Sequence, residues 1–296
     1  MRFYVRMRGG LGNQMFQYAY ALALRELYPG AEIFLDTREY RSYKRRSFSL
    51  TDFVLAEHTS VFSEGSLSYD IPIRIYHVWQ RLYREIRHKP PFGISEPLAR
   101  RGLILTGLGC SLPQSRLPEE TFLYGYFQNA DVLLPVRKNL SEAFSLPEPE
   151  RTKLSPFLRD TGDCSVSVSI RLGQDIADSG WQLCSKDYYR SGIDIICRDH
   201  PMDKIIVFSD SPERVSDERW FDDMGLEIVY TAGLSPAEQM EIMKQCRHFV
   251  ISNSTFAWWG AFLGAGDKGD IVAPKTWQGN RPTEKDPLFM KNMILL

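Results

Sequence analysis

Residues 2–28 read RFYVRMRGGLGNQMFQYAYALALRELY. The opening apolar-rich run predicts a strand over 2–7. Gly9, Gly10 and Gly12 then form a turn whose backbone can approach a ligand closely. From residue 13 the apolar positions recur with helical spacing, which predicts a helix over 13–28. In this order the helix N-terminus offers its N–H groups to an anion or a sugar hydroxyl. The same residues also satisfy a plain tight strand-to-helix turn.

Outward from this stretch, short apolar runs alternate with helical ones. Further strands are expected at 31–35, 102–105, 121–124, 164–170, 204–208, 227–230, 248–252 and 270–273. Helices are expected at 72–87, 128–145, 186–199, 211–222, 235–246 and 255–264. That alternation calls for parallel sheets covered by helices, an α/β fold. Two such series flank LPEPERTKLSP (146–156), whose prolines among charged residues read as a linker. The division gives domains at 1–148 and 149–296, in keeping with roughly 100–200 residues per domain. Long polar stretches at 36–70 and 88–120 make the first sheet the less regular one.

Composition narrows the function. A net charge of −1 provides no bulk basic field for nucleic acid. Cys110, Cys164, Cys184, Cys197 and Cys246 form no CxxC pair, so they read as free thiols in a reducing compartment. The start of the chain carries no charged-then-apolar leader, and no run approaches the ~20 apolar residues of a membrane span. A cytoplasmic location is expected, with at most peripheral contact at the inner face of a membrane. The segment PIRIYHVWQRLYREIR (72–87) is basic and amphipathic, which suits such a contact near a lipid-linked acceptor. A core-facing helix with a solvated basic side is the favoured reading.

Four polar clusters fall at the carboxyl ends of expected strands. The first is the glycine turn, with Asn13 and Gln14. Gly10, Gly12 and Asp36 fit part of a dinucleotide fingerprint, but Met15 takes the place of its third small residue and obstructs close helix–strand packing. In the second, SVSVSIRLGQD (165–175), a buried strand delivers Arg171, whose guanidinium can fork onto a diphosphate. The third, HFVISNSTFAWWGAFL (248–263), sets Asn253, Ser254 and Thr255 before a helix, an anion cradle or an ordinary cap. Its tryptophans read as core. The fourth, VFSD (207–210), ends in Asp210, either a partner for guanine or ribose or a helix cap. Clusters so placed form a nucleotide-diphosphate pocket facing a cleft between two domains. Asp222 and Asp223, adjacent and helical, read as a solvated face, so no metal-binding Asp-x-Asp is present.

The segments GGLGNQMFQYA (9–19), YGYFQ (124–128), VFSD (207–210), ISNSTFAWWGAFL (251–263) and APKTW (273–277) resemble, in order, the α1,2-fucosyltransferases of glycosyltransferase family 11. The resemblance implies a GT-B-like arrangement of two Rossmann-like domains, an acceptor-facing N-terminal one and a GDP-sugar-binding C-terminal one. It implies inverting, metal-independent transfer of fucose from GDP-β-L-fucose to the 2-OH of a galactose in a glycan acceptor, with no cofactor. It also implies donor-phosphate contacts at Arg171, Ser254 and Thr255. The family's His-x-Arg-Arg-Gly-Asp stretch stands here as Ser169, Ile170, Arg171, Leu172, Gly173 and Gln174, with Asp175 one place on. This departure leaves open another GDP-deoxysugar donor or a non-catalytic carbohydrate-binding relative. Asp36 is the candidate general base, with capping of the turn LDTREY as its alternative role.

Overall fold

In the computed structural model the described residues are all but 43–45, 66, 88–93, 160, 174–182 and 278–280. The side chains of 77 and 80–87 also lie outside the description. The chain forms two compact units, Met1–Ala143 and Phe144–Leu296.

The first unit is a five-stranded sheet in the order β3-β2-β1-β5-β4. Its strands are β1 (Arg2–Arg6), β2 (Glu32–Asp36), β3 (Thr59–Phe62), β4 (Leu103–Leu105) and β5 (Glu120–Tyr124). Every pairing is parallel. β3 is absent from the sequence expectations because this short edge strand alternates nothing: Ser60 and Val61 are both exposed. The helix Leu11–Leu27 buries thirteen of its residues, among them Met15, Phe16 and Tyr20. Pro135, which has no N–H to donate, breaks the expected helix 128–145 into Ala130–Leu133, a 3-10 turn at Leu134–Val136, and Arg137–Ala143.

The second unit is a six-stranded parallel sheet in the order β11-β10-β9-β6-β7-β8. It comprises β6 (Ser165–Ile170), β7 (Lys204–Ser209), β8 (Glu227–Tyr230), β9 (His248–Ile251), β10 (Ile271–Ala273) and β11 (Met293–Leu295). All six residues of β6 are buried. Val166, Val168 and Ile170 pack with Tyr189, Ile193 and Ile196 of the helix Lys186–Asp199, spaced i, i+4, i+7 along one helix face. Gly192 brings that helix down onto the sheet, since a Cβ there would stand 2.7 Å from the Val250 side chain. The small Ser165, Ser167 and Ser169 alternate with these apolar positions and are buried too.

The stretch 146–156 is helical, as Glu148–Lys153 and Ser155–Leu158. Its prolines do not interrupt these helices, because Pro149 and Pro156 occupy first-turn positions where no N–H is required.

The helix Asp70–Arg87 is two-sided. Ile73 and Tyr76 join Tyr69, Leu105 and Tyr124 in the core of the first unit. Its solvent side is apolar as well: Ile71, Ile75, Val78 and Trp79 are 68, 65, 62 and 45% exposed. This corrects the expectation of a core-facing helix whose other side is simply solvated and basic.

Candidate functional site

The winding of the six-stranded sheet reverses at β6, with β7 and β8 to one side and β9, β10 and β11 to the other. The crevice beyond the carboxyl ends of β6 and β9 is therefore a switch point, where open α/β sheets bind ligands. Register decides what stands there. Ile170 pairs with Ser209 and Ser169 with Ile251, while the Ser252 N–H donates to the Ser169 carbonyl at 3.1 Å. Asp210, Arg171 and the run from Asn253 to Thr255 thus leave three adjacent strands along one edge.

Arg171 Nε lies 2.9 Å from Asp210 Oδ2, with each side chain about a quarter exposed. The same carboxylate accepts the Leu172 N–H at 2.8 Å and the Gly173 N–H at 3.0 Å. Asp210 therefore holds the turn that carries Arg171. It does not cap the following helix, Pro212–Asp217, whose N-cap is Ser211. Gln174 and Asp175, the end of the altered motif, lie outside the described residues.

Asn253 is buried, and its Nδ2 donates to the Trp277 carbonyl at 3.1 Å. It ties the strand-to-helix loop to the APKTW segment. Ser254 is the N-cap of the ten-residue helix Thr255–Gly264 through its backbone alone, and its hydroxyl makes no cap bond. Ser254 and Thr255 are partly exposed at this helix start, where the peptide dipoles concentrate positive partial charge. Trp258 and Trp259 are fully buried, and the Trp258 indole N–H donates to the Leu288 carbonyl at 2.7 Å.

The first sheet has its own switch point between β1 and β5. Gly9 (φ +79°) makes the turn there, and Gly10 caps the long helix without a side chain. Gly12 is buried in the first turn of that helix. Gln14 is fully buried and braces the loop before residue 50: its Nε2 donates to the Gly9 and Ser47 carbonyls at 3.1 and 2.8 Å, and its Oε1 accepts the Ser49 N–H at 3.0 Å. That is a backbone strut, where the sequence pointed to a donor contact. Asn13 Oδ1 accepts from Gln128 Nε2 at 3.1 Å, joining the glycine turn to YGYFQ. Phe127, buried at φ +54°, turns the chain so that Gln128 reaches back. Arg8 stands over the rings of Tyr124 and Tyr126 at 5.2 and 5.3 Å and donates to the Tyr124 hydroxyl. The sequence alone does not bring Arg8 and Gln128 to the glycine turn, although YGYFQ marks the segment that meets it.

Asp36 is corrected. It is fully buried at the end of β2 and bound on both oxygens. Arg6 Nε reaches Oδ2 at 2.6 Å, Arg38 Nε reaches Oδ1 at 2.9 Å, and the Tyr69 hydroxyl donates to Oδ2 at 2.7 Å. Asp70 closes the network through Arg6 at 2.5 Å and Arg38 at 2.9 Å. Burial alone would raise the Asp36 pKa, but hydrogen bonds from Arg38 and Tyr69 and the charge of Arg6 outweigh it and hold the carboxyl below its ordinary value. A weak, inaccessible base cannot take a proton from a substrate hydroxyl. Asp36 instead anchors the interior ion network.

Two parallel α/β units, each with a polar switch point, have the architecture of a GT-B-type fold. The family model for glycosyl transferase family 11 matches residues 103–295, and the chain belongs to that family. It is 26% identical to an alpha-1,2-colitosyltransferase of Escherichia coli, over 92% of this chain and 91% of that one. It is 24% identical to a galactoside 2-alpha-L-fucosyltransferase of Bos taurus, over 94% of this chain and 68% of that one. The fold is also similar to that of NodZ, an alpha-1,6-fucosyltransferase crystallized with GDP, with a TM-score of 0.53 at 12% identity over 88% of this chain and 91% of that one. The protein is a fucosyltransferase-type glycosyltransferase. Among the described residues no helix is long and apolar enough to cross a membrane.

Proposed function

We propose that the chain transfers L-fucose from GDP-β-L-fucose to the 2-OH of a galactose in a glycan, with inversion to an α1,2 linkage. The observation that carries this reading is that Arg171 and the helix start at Ser254 and Thr255 leave adjacent strands at the β6–β9 switch point. A diphosphate leaving group needs positive charge at that spot. Arg171 is the larger contributor: a positioned donor in a water-excluded site is worth roughly 3–4 kcal/mol, whereas a helix terminus at a surface supplies about 0.3–1 kcal/mol.

In this mechanism the acceptor oxygen attacks C1 from the face opposite the diphosphate. The C1–O bond to GDP breaks with its electrons going to the departing phosphate. The transition state is loose and oxocarbenium-like, so charge neutralisation at the leaving group matters more than a strong base. The acceptor proton leaves to solvent or to the released diphosphate. Arg171 and the helix start supply the positive charge in place of a metal ion, and no cofactor takes part. The second unit holds the GDP-sugar and the first receives the acceptor.

A second donor is favoured by a specific observation. The likeness to a colitosyltransferase, together with the departure at Ser169, Leu172 and Gln174, supports a GDP-deoxysugar other than fucose. A panel of GDP- and UDP-sugars, with EDTA and galactose-terminated acceptors, tests both by mass spectrometry. A deoxyhexose increment from GDP-fucose alone supports the first reading, turnover only with GDP-colitose supports the second, and turnover only with UDP-sugars contradicts both.

We further infer a peripheral membrane contact through the helix Asp70–Arg87. Four large apolar side chains exposed along one stripe, with the exposed Arg74 among them, match an amphipathic helix lying in an anionic lipid interface.

A further inference from the structure

At the amino-terminal edge of the second sheet, away from Arg171, three metal-ligating side chains converge from three elements. His200 follows the helix Lys186–Asp199, His248 opens β9, and Asp270 precedes β10. One ligand atom from each lies within 4.8 Å of the others. His200 Nε2 is 2.7 Å and His248 Nδ1 is 4.0 Å from Asp270 Oδ2, and the two imidazole rings lie tilted at 40° with centroids 4.0 Å apart. We propose that His200, His248 and Asp270 form a binding site for a late first-row divalent cation, with Zn²⁺ the best fit.

The chemistry of the set supports this. Two imidazoles and one carboxylate suit zinc, whose tetrahedral ligands at about 2.0–2.2 Å stand roughly 3.4 Å from one another. The separations of 2.7 and 4.0 Å bracket that value, so small rotations of His200 and Asp270, both about one-third exposed, bring the atoms to bonding distance. His248 is the buried, fixed member. The Asp270 N–H donates to its Nδ1 at 3.3 Å, which puts the ring proton on Nε2 and leaves Nδ1 as the unprotonated nitrogen that can ligate. A cation would exchange this long hydrogen bond for a coordinate bond, with solvent as fourth ligand. It would staple the helix Lys186–Asp199 to β9 and β10 at the end of the sheet remote from sugar transfer. The site is therefore structural, independent of the donor reaction.

The test uses the full chain, stripped with a chelator and titrated with Zn²⁺ by calorimetry, then with Co²⁺ by visible absorption. One equivalent of Zn²⁺, a tetrahedral Co²⁺ spectrum and a Tm that climbs with metal concentration are expected. Asp270→Asn and His200→Ala should each weaken binding at least tenfold, while His200→Cys, which keeps a ligating atom, restores it. Affinity for GDP should not change in any variant, which separates this site from the donor site. Absence of stoichiometric binding overturns the proposal. So does binding that both substitutions leave intact, because the metal would then sit on thiols such as the exposed Cys164. Circular dichroism of each variant establishes that a loss of binding is not a loss of fold.

Discussion

Asp210 meets both the Arg171 side chain and the backbone that follows it: one oxygen lies 2.9 Å from the guanidinium Nε, and the carboxylate also accepts the N–H groups of Leu172 and Gly173. The arginine is thereby positioned before any ligand arrives, so its rotamer entropy is spent in folding and not in binding.

Asp210→Asn should accordingly loosen Arg171 without removing it. Catalytic efficiency is expected to fall about tenfold with little change in Tm, and the effect should vanish in an Arg171→Ala background. Steady-state kinetics on the double-mutant cycle checks this. Additive losses would mean that Asp210 acts on the substrate directly.

Asp36→Asn distinguishes an anchor from a base. As an anchor in a buried ion network, its loss should cost on the order of 3–5 kcal/mol of stability, because Arg6 and Arg38 keep their charges. The sign with pH follows from the depressed pKa of the carboxyl. Its stabilisation is present above the unfolded value of about 3.9 and is lost as pH falls through the folded value. Thermal melts across acidic pH read both effects. An unchanged Tm with abolished turnover would return Asp36 to the role of base.

Ile71→Ser combined with Ile75→Ser should reduce binding to anionic vesicles at least tenfold in flotation assays. Both side chains are exposed, at 68 and 65%, so the Tm should hold and transfer to a soluble acceptor should be unchanged. Equal flotation of variant and parent would remove the helix from any membrane contact.

Much of this fold is legible in the residues themselves. Short apolar runs such as IIVF (205–208) and FVI (249–251), bounded by turn residues, read as strands covered on both faces. The helix start at Ser254 and Thr255 is a purely local feature and is legible for the same reason. What sequence could not supply is pairing over distance. Asp36 looks catalytic at the end of a strand until Arg6 and Tyr69, distant in sequence, take its oxygens. Asp210 reads as a partner for guanine or ribose or as a helix cap, and nothing local reveals that it accepts the N–H groups of Leu172 and Gly173, nearly forty residues earlier. His200, His248 and Asp270 have no motif spacing and meet only because helix and strand ends coincide. The helix Asp70–Arg87 carries two apolar faces, one in the core and one exposed, where the basic, amphipathic pattern suggests only one.

The most direct test of the account is the turnover of Arg171→Ala with GDP-fucose and a galactose-terminated acceptor, measured beside its melting curve. A loss on the order of 10²-fold or more in kcat at an unchanged Tm is expected, since a preorganised charge on the leaving group has been deleted. Near-parental kinetics in a folded variant would contradict the assignment of the β6–β9 switch point as the donor-diphosphate site.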